Sequence, residues 1–262
     1  MNIIVTTSGR PSNESINHAK AIAKTLNIAF VRRNKVSVES VRMTNKADAV
    51  VVVGKDKLSV KTKETTFFFH PNTAMFRAKK WLKTGKEPLI DACKLTPGDT
   101  LYDATLGLGS DAILASLAVG HTGKVLGTEA SSLLAFIVKE GLQSYETDVQ
   151  EFNKALKRIK VMNLSHIQWL QKASTNSVDI VYFDPMFEEK VSGSDGFDSM
   201  RPFTLFTPLT ETAIIEAKRV ARKRVVLKDH FRSQRFQQFG FQVQVRPSAT
   251  YHYGTIELEG IR

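Results

Sequence analysis

The sequence predicts a doubly wound α/β sheet of seven strands, with a smaller α/β unit ahead of it. Three observations predict this. Short apolar runs suited to buried strands alternate with stretches whose apolar residues recur at helical spacing, the pattern of a parallel sheet covered by helices. A glycine loop, Gly107-Leu-Gly109, stands between the first core strand and the helix that follows. A later apolar run, Val178 to Phe183, ends in the turn Asp184-Pro185-Met186-Phe187.

The front of the chain reads as its own unit. Asn2 to Thr6 is a strand, and Ile16, Ala19, Ile22, Ala23 and Leu26 recur at helical spacing. Ile28 to Val31 and Ala49 to Val53 read as strands, as does Thr66 to His70. The boundary falls near Pro71-Asn72, which divides the chain into domains 1–72 and 73–262. In the core, strands are expected at about 100–103, 124–128, 159–163, 178–183, 224–228, 240–246 and 250–258. Helices are expected at about 110–119, 131–143, 148–157, 165–172, 205–222 and 231–238. Helices between the first five strands and a terminal antiparallel pair describe a doubly wound fold of seven strands with an antiparallel edge.

The site is expected at the C-terminal ends of these strands. Asp103 ends the strand after the Pro97-Gly98-Asp99 turn, and Gly107 and Gly109 let the backbone pass close to a ligand. The helix start after them offers free N–H groups and a positive dipole end. Lys124 to Thr128 then ends at Glu129, whose carboxylate can accept from two ribose hydroxyls. Two cofactors fit this order. Gly107-x-Gly109-x-x-Ala112 with Glu129 about 20 residues on also satisfies the dinucleotide fingerprint. Against NAD, Asp103 would repel a diphosphate but suits S-adenosylmethionine (SAM), whose amino and sulfonium groups are both positive. SAM is favoured. Asn163 can meet the adenine amine or simply form the strand-end turn. Lys228 and His230, at a strand end, either touch RNA phosphate or cap a helix.

The turn at Asp184 supplies an acid, backbone carbonyls and an aromatic ring, which are the groups that hold a planar base with an exocyclic amine. It resembles the active-site signature of SAM-dependent amino-methyltransferases. Several segments together resemble one family, RsmJ, bacterial enzymes that methylate a guanine N2 in 16S ribosomal RNA. They are Asp103 to Ala112, Val125 to Ala135 with Glu140 to Leu142, Tyr182 to Phe187, Arg224 to Lys228, and Tyr251 to Thr255. Thr73 to Arg77 with Lys79 and Lys80 is similar to a basic stretch ahead of that core, so the likeness covers about residues 73–258. The resemblance implies cofactor contacts at Ser110 and Asp111, a ribose-binding pair at Glu129 and Ala130, and a pocket lined by Ser165 and His166. His166 departs from the family's serine. Asp184 falls on an acid at the base side of the pocket. The family's lysine-rich segment after the turn is replaced here by Glu188-Glu189-Lys190 and a segment running to Pro202, which leaves the particular target open.

Composition narrows the function classes. The chain has 262 residues, and its 42% hydrophobic and 24% charged content is ordinary for a globular protein. One cysteine, Cys93, rules out an internal disulfide, a cysteine-only metal site and an iron–sulfur cluster. No apolar run approaches the roughly 18 residues of a membrane span, and the N-terminus lacks the marks of a signal peptide, so a cytoplasmic protein is expected. The six histidines show no metal-ligand spacing, and none is needed for the chemistry. The net charge of +11 is unevenly placed: residues 1–100 hold 18 Lys/Arg against 8 Asp/Glu, a surplus of +10. A basic front domain attracts polyanions, so nucleic acid is the expected partner. Thr6 to Ser12 with Arg32 to Lys35 faintly resembles Brix/Imp4-type ribosomal RNA-binding proteins.

The expected activity is therefore direct in-line methyl transfer from SAM to an exocyclic amine of a nucleic-acid base, guanine N2 of ribosomal RNA first. Asp184 would accept one amine N–H, a carbonyl of Pro185 or Met186 the other, and Phe187 would stack on the base. Two other readings stand beside this one. One is a non-catalytic RNA-binding or ribosome-assembly protein on the same fold; the other is a DNA adenine methyltransferase.

Overall fold

The computed structural model describes residues 1–55, 57–185 and 201–258. These divide into two compact units, one of residues 1–70 with 201–203 and the other of 71–185 with 204–258.

The first unit is built on β1 (Ile3–Thr7), α1 (Asn13–Leu26), β2 (Ala29–Phe30), α2 (Val38–Thr44), β3 (Ala49–Val53), β4 (Leu58–Lys61) and β5 (Thr66–Phe67). Its sheet order is β2-β1-β3-β4-β5, with β1 parallel to β2 and β3 and the last two pairs antiparallel. β3 is buried along its whole length, as a run of valines between neighbours on both edges should be. Ser12 caps α1 by accepting from the Ser15 N–H, and Asn27 closes it at a φ of 52°, a conformation asparagine tolerates. Phe203 packs into this unit with its ring 6.5 Å from that of Phe67. The strand expected at 66–70 ends at Phe67, and α2 and β4 are additions.

The second unit opens with α3 (Asn72–Thr84) and α4 (Pro88–Cys93). It continues through β6 (Thr100–Asp103), α5 (Ser110–Val119), β7 (Lys124–Thr128), α6 (Ser132–Ser144), α7 (Gln150–Arg158) and β8 (Ile159–Met162). Then come α8 (His166–Lys172), β9 (Val178–Phe183), α9 (Glu211–Val220), β10 (Ala221–His230), α10 (Arg235–Gln238), β11 (Gln242–Gln244) and β12 (Tyr251–Glu257). The seven strands lie in the order β11-β12-β10-β9-β6-β7-β8. All pairs among β8, β7, β6, β9 and β10 are parallel, and β12 is antiparallel to both β10 and β11. This is the expected doubly wound sheet with a terminal antiparallel pair.

The strand order reverses between β6 and β9, which places the crevice of an open α/β sheet at their C-terminal ends. α5 is buried nearly all round, as its apolar sequence demands, and touches α3, α4, α7 and β7. Tyr102 of β6 is fully buried, its ring stacked 3.8 Å from Trp169 and its hydroxyl 2.7 Å from Thr128 Oγ1. Burial of a side chain that size contributes about 1.5–3 kcal/mol and helps fix the edge on which the site stands. α9 begins at Glu211 rather than near 205 because Pro208 precedes it and Thr210 supplies the cap, accepting from the Ala213 N–H at 3.2 Å. β10 runs past 228 to His230 because β12 pairs it there, His230 lying opposite Tyr251. No helix among the described residues is long and apolar enough to cross a membrane.

Candidate active site

The site begins where β6 ends. Asp103 is buried, and its Oδ1 accepts the Thr105 N–H at 3.0 Å. Burial pushes its carboxyl up to about 8, and the nearby acids Asp111 and Asp184 add to the shift, so in the free protein it is protonated near neutral pH. The loop after it is stitched to both neighbouring strands: Ala104 N–H donates to Tyr182 O at 2.9 Å, and Leu106 N–H to Thr128 O at 3.1 Å. Gly107 and Gly109 sit at φ of 50° and 74°, where a Cβ is strained, so the turn needs both glycines. Gly109 is also the N-cap of α5 and offers no side chain to its first turn, leaving that helix start to a ligand.

The second wall is the end of β7. Glu129 Oε1 accepts the Ser131 N–H at 2.8 Å, and burial raises the carboxyl above its usual range. Asn163 Nδ2 donates to the carbonyls of Glu129 and Ala130 at 2.9 and 3.1 Å. Asn163 thus holds the backbone of the expected ribose-binding pair, which is the strand-end role. Ser165 forms a capping box with Gln168 at the start of α8. His166 is buried with its ring edge-on to Phe183 at 5.8 Å, and burial lowers its pKa.

The third wall is an ion network that sequence reading missed. Asp111, in the first turn of α5, binds Arg77 Nη1 of α3 at 2.5 Å, the Tyr182 hydroxyl of β9 at 2.7 Å and Lys228 Nζ of β10 at 3.2 Å. Its partners outweigh the cost of burial and hold its carboxyl well below the usual range. Arg77 also binds Glu87 Oε1 at 2.5 Å. Lys228 continues the chain to Asp184, reaching Oδ2 at 2.6 Å. Burial opposes charge on both cations, but the acids around them keep their pKa values above the ordinary range. The Asp184 N–H is held by Thr105 Oγ1 at 2.6 Å, which ties the turn to the glycine loop. Burial pushes the Asp184 carboxyl up to about 6, with Lys228 pulling against it.

Two expectations change. Lys228 neither faces RNA phosphate nor caps a helix; its ammonium is drawn inward by Asp111 and Asp184, and its side chain is 15% exposed. Asp111 was expected to touch the cofactor, but its carboxylate is occupied by Arg77, Tyr182 and Lys228, and only its place in the first turn of α5 remains for that role. His230 has its ring 4.6 Å from that of Phe231, and its Nδ1 accepts the Arg232 N–H at 3.4 Å. Asp103, Gly107, Gly109, Ser110, Glu129, Ala130 and Asp184 come together at the C-terminal edge of β6, β7 and β9, with Pro185 following. Met186 and Phe187, and the segment from Glu188 to Met200, lie outside the described residues. A usable signal for the network was present: Asp111 is a lone acid opening an apolar helix, and Lys228 closes an apolar strand run, so each called for an opposite charge.

Comparisons with known proteins agree with this arrangement. A family model described as "Putative SAM-dependent methyltransferase" matches residues 34–246. The Bacillus subtilis (strain 168) protein YpiP, described as uncharacterized, is 49% identical over 255 residues, covering 97% of this chain and 99% of its own. Ribosomal RNA small subunit methyltransferase J of Legionella pneumophila (strain Paris) is 30% identical over 184 residues, covering 70% of this chain and 67% of its own. Among solved structures, the SAM-dependent methyltransferase NGO1261 of Neisseria gonorrhoeae superposes with a TM-score of 0.63 at 16% identity, over 97% of this chain and 95% of its own, a likeness of fold. The cofactor is SAM, and the site's chemistry fits it. The buried carboxyl of Asp103, whose ionised form a positively charged ligand stabilises, suits the cationic groups of SAM, and a second strand-end carboxylate suits a ribose diol.

Proposed function

Because the chain belongs to the family of SAM-dependent methyltransferases, we propose that it methylates an exocyclic amine of a base in RNA, guanine N2 of small-subunit ribosomal RNA first. One observation carries the reading: Asp184 stands at the end of β9 with its backbone N–H fixed by Thr105 and its carboxylate fixed by Lys228. The RNA target is supported by the likeness to ribosomal RNA small subunit methyltransferase J.

SAM supplies an electrophilic methyl group on a sulfonium, so the protein's task is to orient the acceptor and exclude water. Asp103 would accept from the ammonium of SAM's amino-acid end, and the N–H groups at the start of α5, around Ser110 and Asp111, would donate to the carboxylate of that end. Glu129 would accept from the ribose hydroxyls beside Ala130, with Ser165 and His166 lining the pocket. Asp184, ionised above about pH 6, would accept one amine N–H and keep the nitrogen lone pair turned to the methyl. A carbonyl of Pro185 or Met186 would take the second N–H, and Phe187 would stack on a base that has left its helix.

The test is tritiated methyl transfer from SAM to 16S ribosomal RNA, transfer RNA and DNA, followed by nucleoside analysis. The expected product is N2-methylguanine in ribosomal RNA alone. Methyladenine in DNA would replace the reading with a DNA activity. Tight SAM binding without transfer to any acceptor would favour the ribosome-assembly role. Asp184→Ala should cost far more in single-turnover transfer than in SAM affinity; a variant within about tenfold of wild type, or 1.4 kcal/mol in barrier, removes Asp184 from catalysis.

A further inference from the structure

Beside Asp184 the edge of the sheet carries a second group of side chains that the transfer reaction does not use. β10 and β12 pair with Lys228 opposite Tyr253 and His230 opposite Tyr251, so their ends rise from the same edge that bears the acid. Lys228 Nζ, bound to Asp184, also lies 5.0 Å from the centre of the Tyr251 ring. The Arg246 guanidinium lies 4.5 Å from that ring and 5.8 Å from the Tyr253 ring. Further out, Phe231 has the Arg232 guanidinium at 5.0 Å and the rings of His230 and His252 at 4.6 and 6.2 Å.

We propose that Phe231, Arg232, Arg246 and Tyr251 form a stacking surface for the single-stranded RNA flanking the target base. It rests on the RNA reading above. Phe231 keeps 43% of its surface exposed, where a ring serving only to pack the turn would be buried. No described carboxylate pairs with Arg232 or Arg246, whereas the one acid in this stretch, Asp229, is buried and bound to Arg235 at 2.6 Å and Ser233 at 2.7 Å. An exposed ring at Phe231 and a half-buried one at Tyr251, with guanidinium groups that no described carboxylate neutralises, are what a single strand asks for: π-faces for bases and cations for phosphates. A duplex, its bases already stacked on each other, gains little from such rings.

The experiment uses the full-length protein and an end-labelled single-stranded oligoribonucleotide, with a duplex of equal length for comparison. Phe231→Leu keeps the apolar bulk and removes the ring. It should weaken single-strand binding about 5- to 150-fold while SAM affinity by calorimetry stays at wild type. Arg232→Ala and Arg246→Ala should each flatten the salt dependence by about 0.7 log units for every phosphate the protein no longer neutralises. Phe231→Trp should bind as wild type does. If Phe231→Leu melts early, Arg232→Ala carries the test alone, since its side chain is exposed. Wild-type RNA affinity and salt slope in these variants would overturn the proposal, as would a wild-type protein that prefers the duplex or binds no single strand. A wild-type protein that binds the strand yet methylates no RNA would instead defeat the activity, leaving this surface in place.

Discussion

Replacing Lys228 by methionine removes the ammonium that stands between two carboxylates, at 2.6 Å from Asp184 and 3.2 Å from Asp111, and leaves both acids without it. Breaking a buried pair in this way costs about 3–5 kcal/mol. The lower figure applies here, because the Asp184 side chain is 27% exposed and Asp111 keeps Arg77. If half or more of about 3 kcal/mol falls on the ionisation of Asp184, its carboxyl rises by about one to two pH units. The sign is fixed by the structure. Burial already holds this acid up at about 6 against the pull of Lys228, so losing the ammonium moves it further up, toward and past neutral pH. Single-turnover methylation from about pH 5 to about pH 9 at saturating SAM reads this directly. Wild type should lose activity as pH falls through about 6, whereas Lys228→Met should lose it at about pH 7 to 8 and recover in alkali. Lys228→Arg, which keeps the charge, should restore most of the wild-type profile. An acidic limb in the methionine variant that overlays wild type would refute the idea that Lys228 keeps Asp184 ionised.

Asp103 predicts a proton linked to cofactor binding. Free, its carboxyl titrates at about 8; a cationic ligand favours the ionised form, so SAM affinity should rise with pH up to about 8 and binding below it should release a proton, measured by calorimetry in buffers of different ionisation enthalpy. Pure pH-independence would remove Asp103 from the cationic end of the ligand. Glu129→Ala should weaken SAM binding by about 1.5–3 kcal/mol through loss of a charge-assisted acceptor, and an unchanged dissociation constant would refute the ribose assignment. In the first unit, substituting the exposed Arg10, Arg32 and Lys35 with alanine should lower RNA affinity and flatten its salt slope by about 0.7 for each phosphate set free, with SAM affinity intact. An unaltered slope would return those charges to ordinary solvated surface.

The elements legible in the sequence were those whose signal is local. Val178–Phe183 and Lys124–Thr128 are apolar runs bounded by turn residues, and Ser110–Val119 opens behind two glycines; all three occur where the pattern placed them. α2 and β4 went unread because they are short and carry charges that mask their periodicity. α9 was read too early because apolar Leu205, Phe206 and Leu209 continue a helical pattern that Pro208 breaks. The site was legible in its cofactor loop and its strand-end acids, which adjoin their own signals. Its ion network was not, because Arg77, Asp111, Tyr182 and Lys228 are separated by tens of residues and meet only once the strand order is known.

That network bears on how damage to this protein would look from outside. A single carboxylate, Asp111, fastens α3, α5, β9 and β10 at one point, two residues from the glycine loop and one lysine away from Asp184. Substituting it would loosen scaffold, cofactor loop and acid together, so an inactive Asp111 variant resembles a missing ligand group, a missing catalytic group and a folding defect at once. Genetic screens that score only activity would therefore count it, and Arg77 with it, among the residues that touch substrate. Only paired readings of melting and ligand affinity sort such keystones from the groups that meet the reacting atoms, and in this fold the keystones stand one side chain behind them.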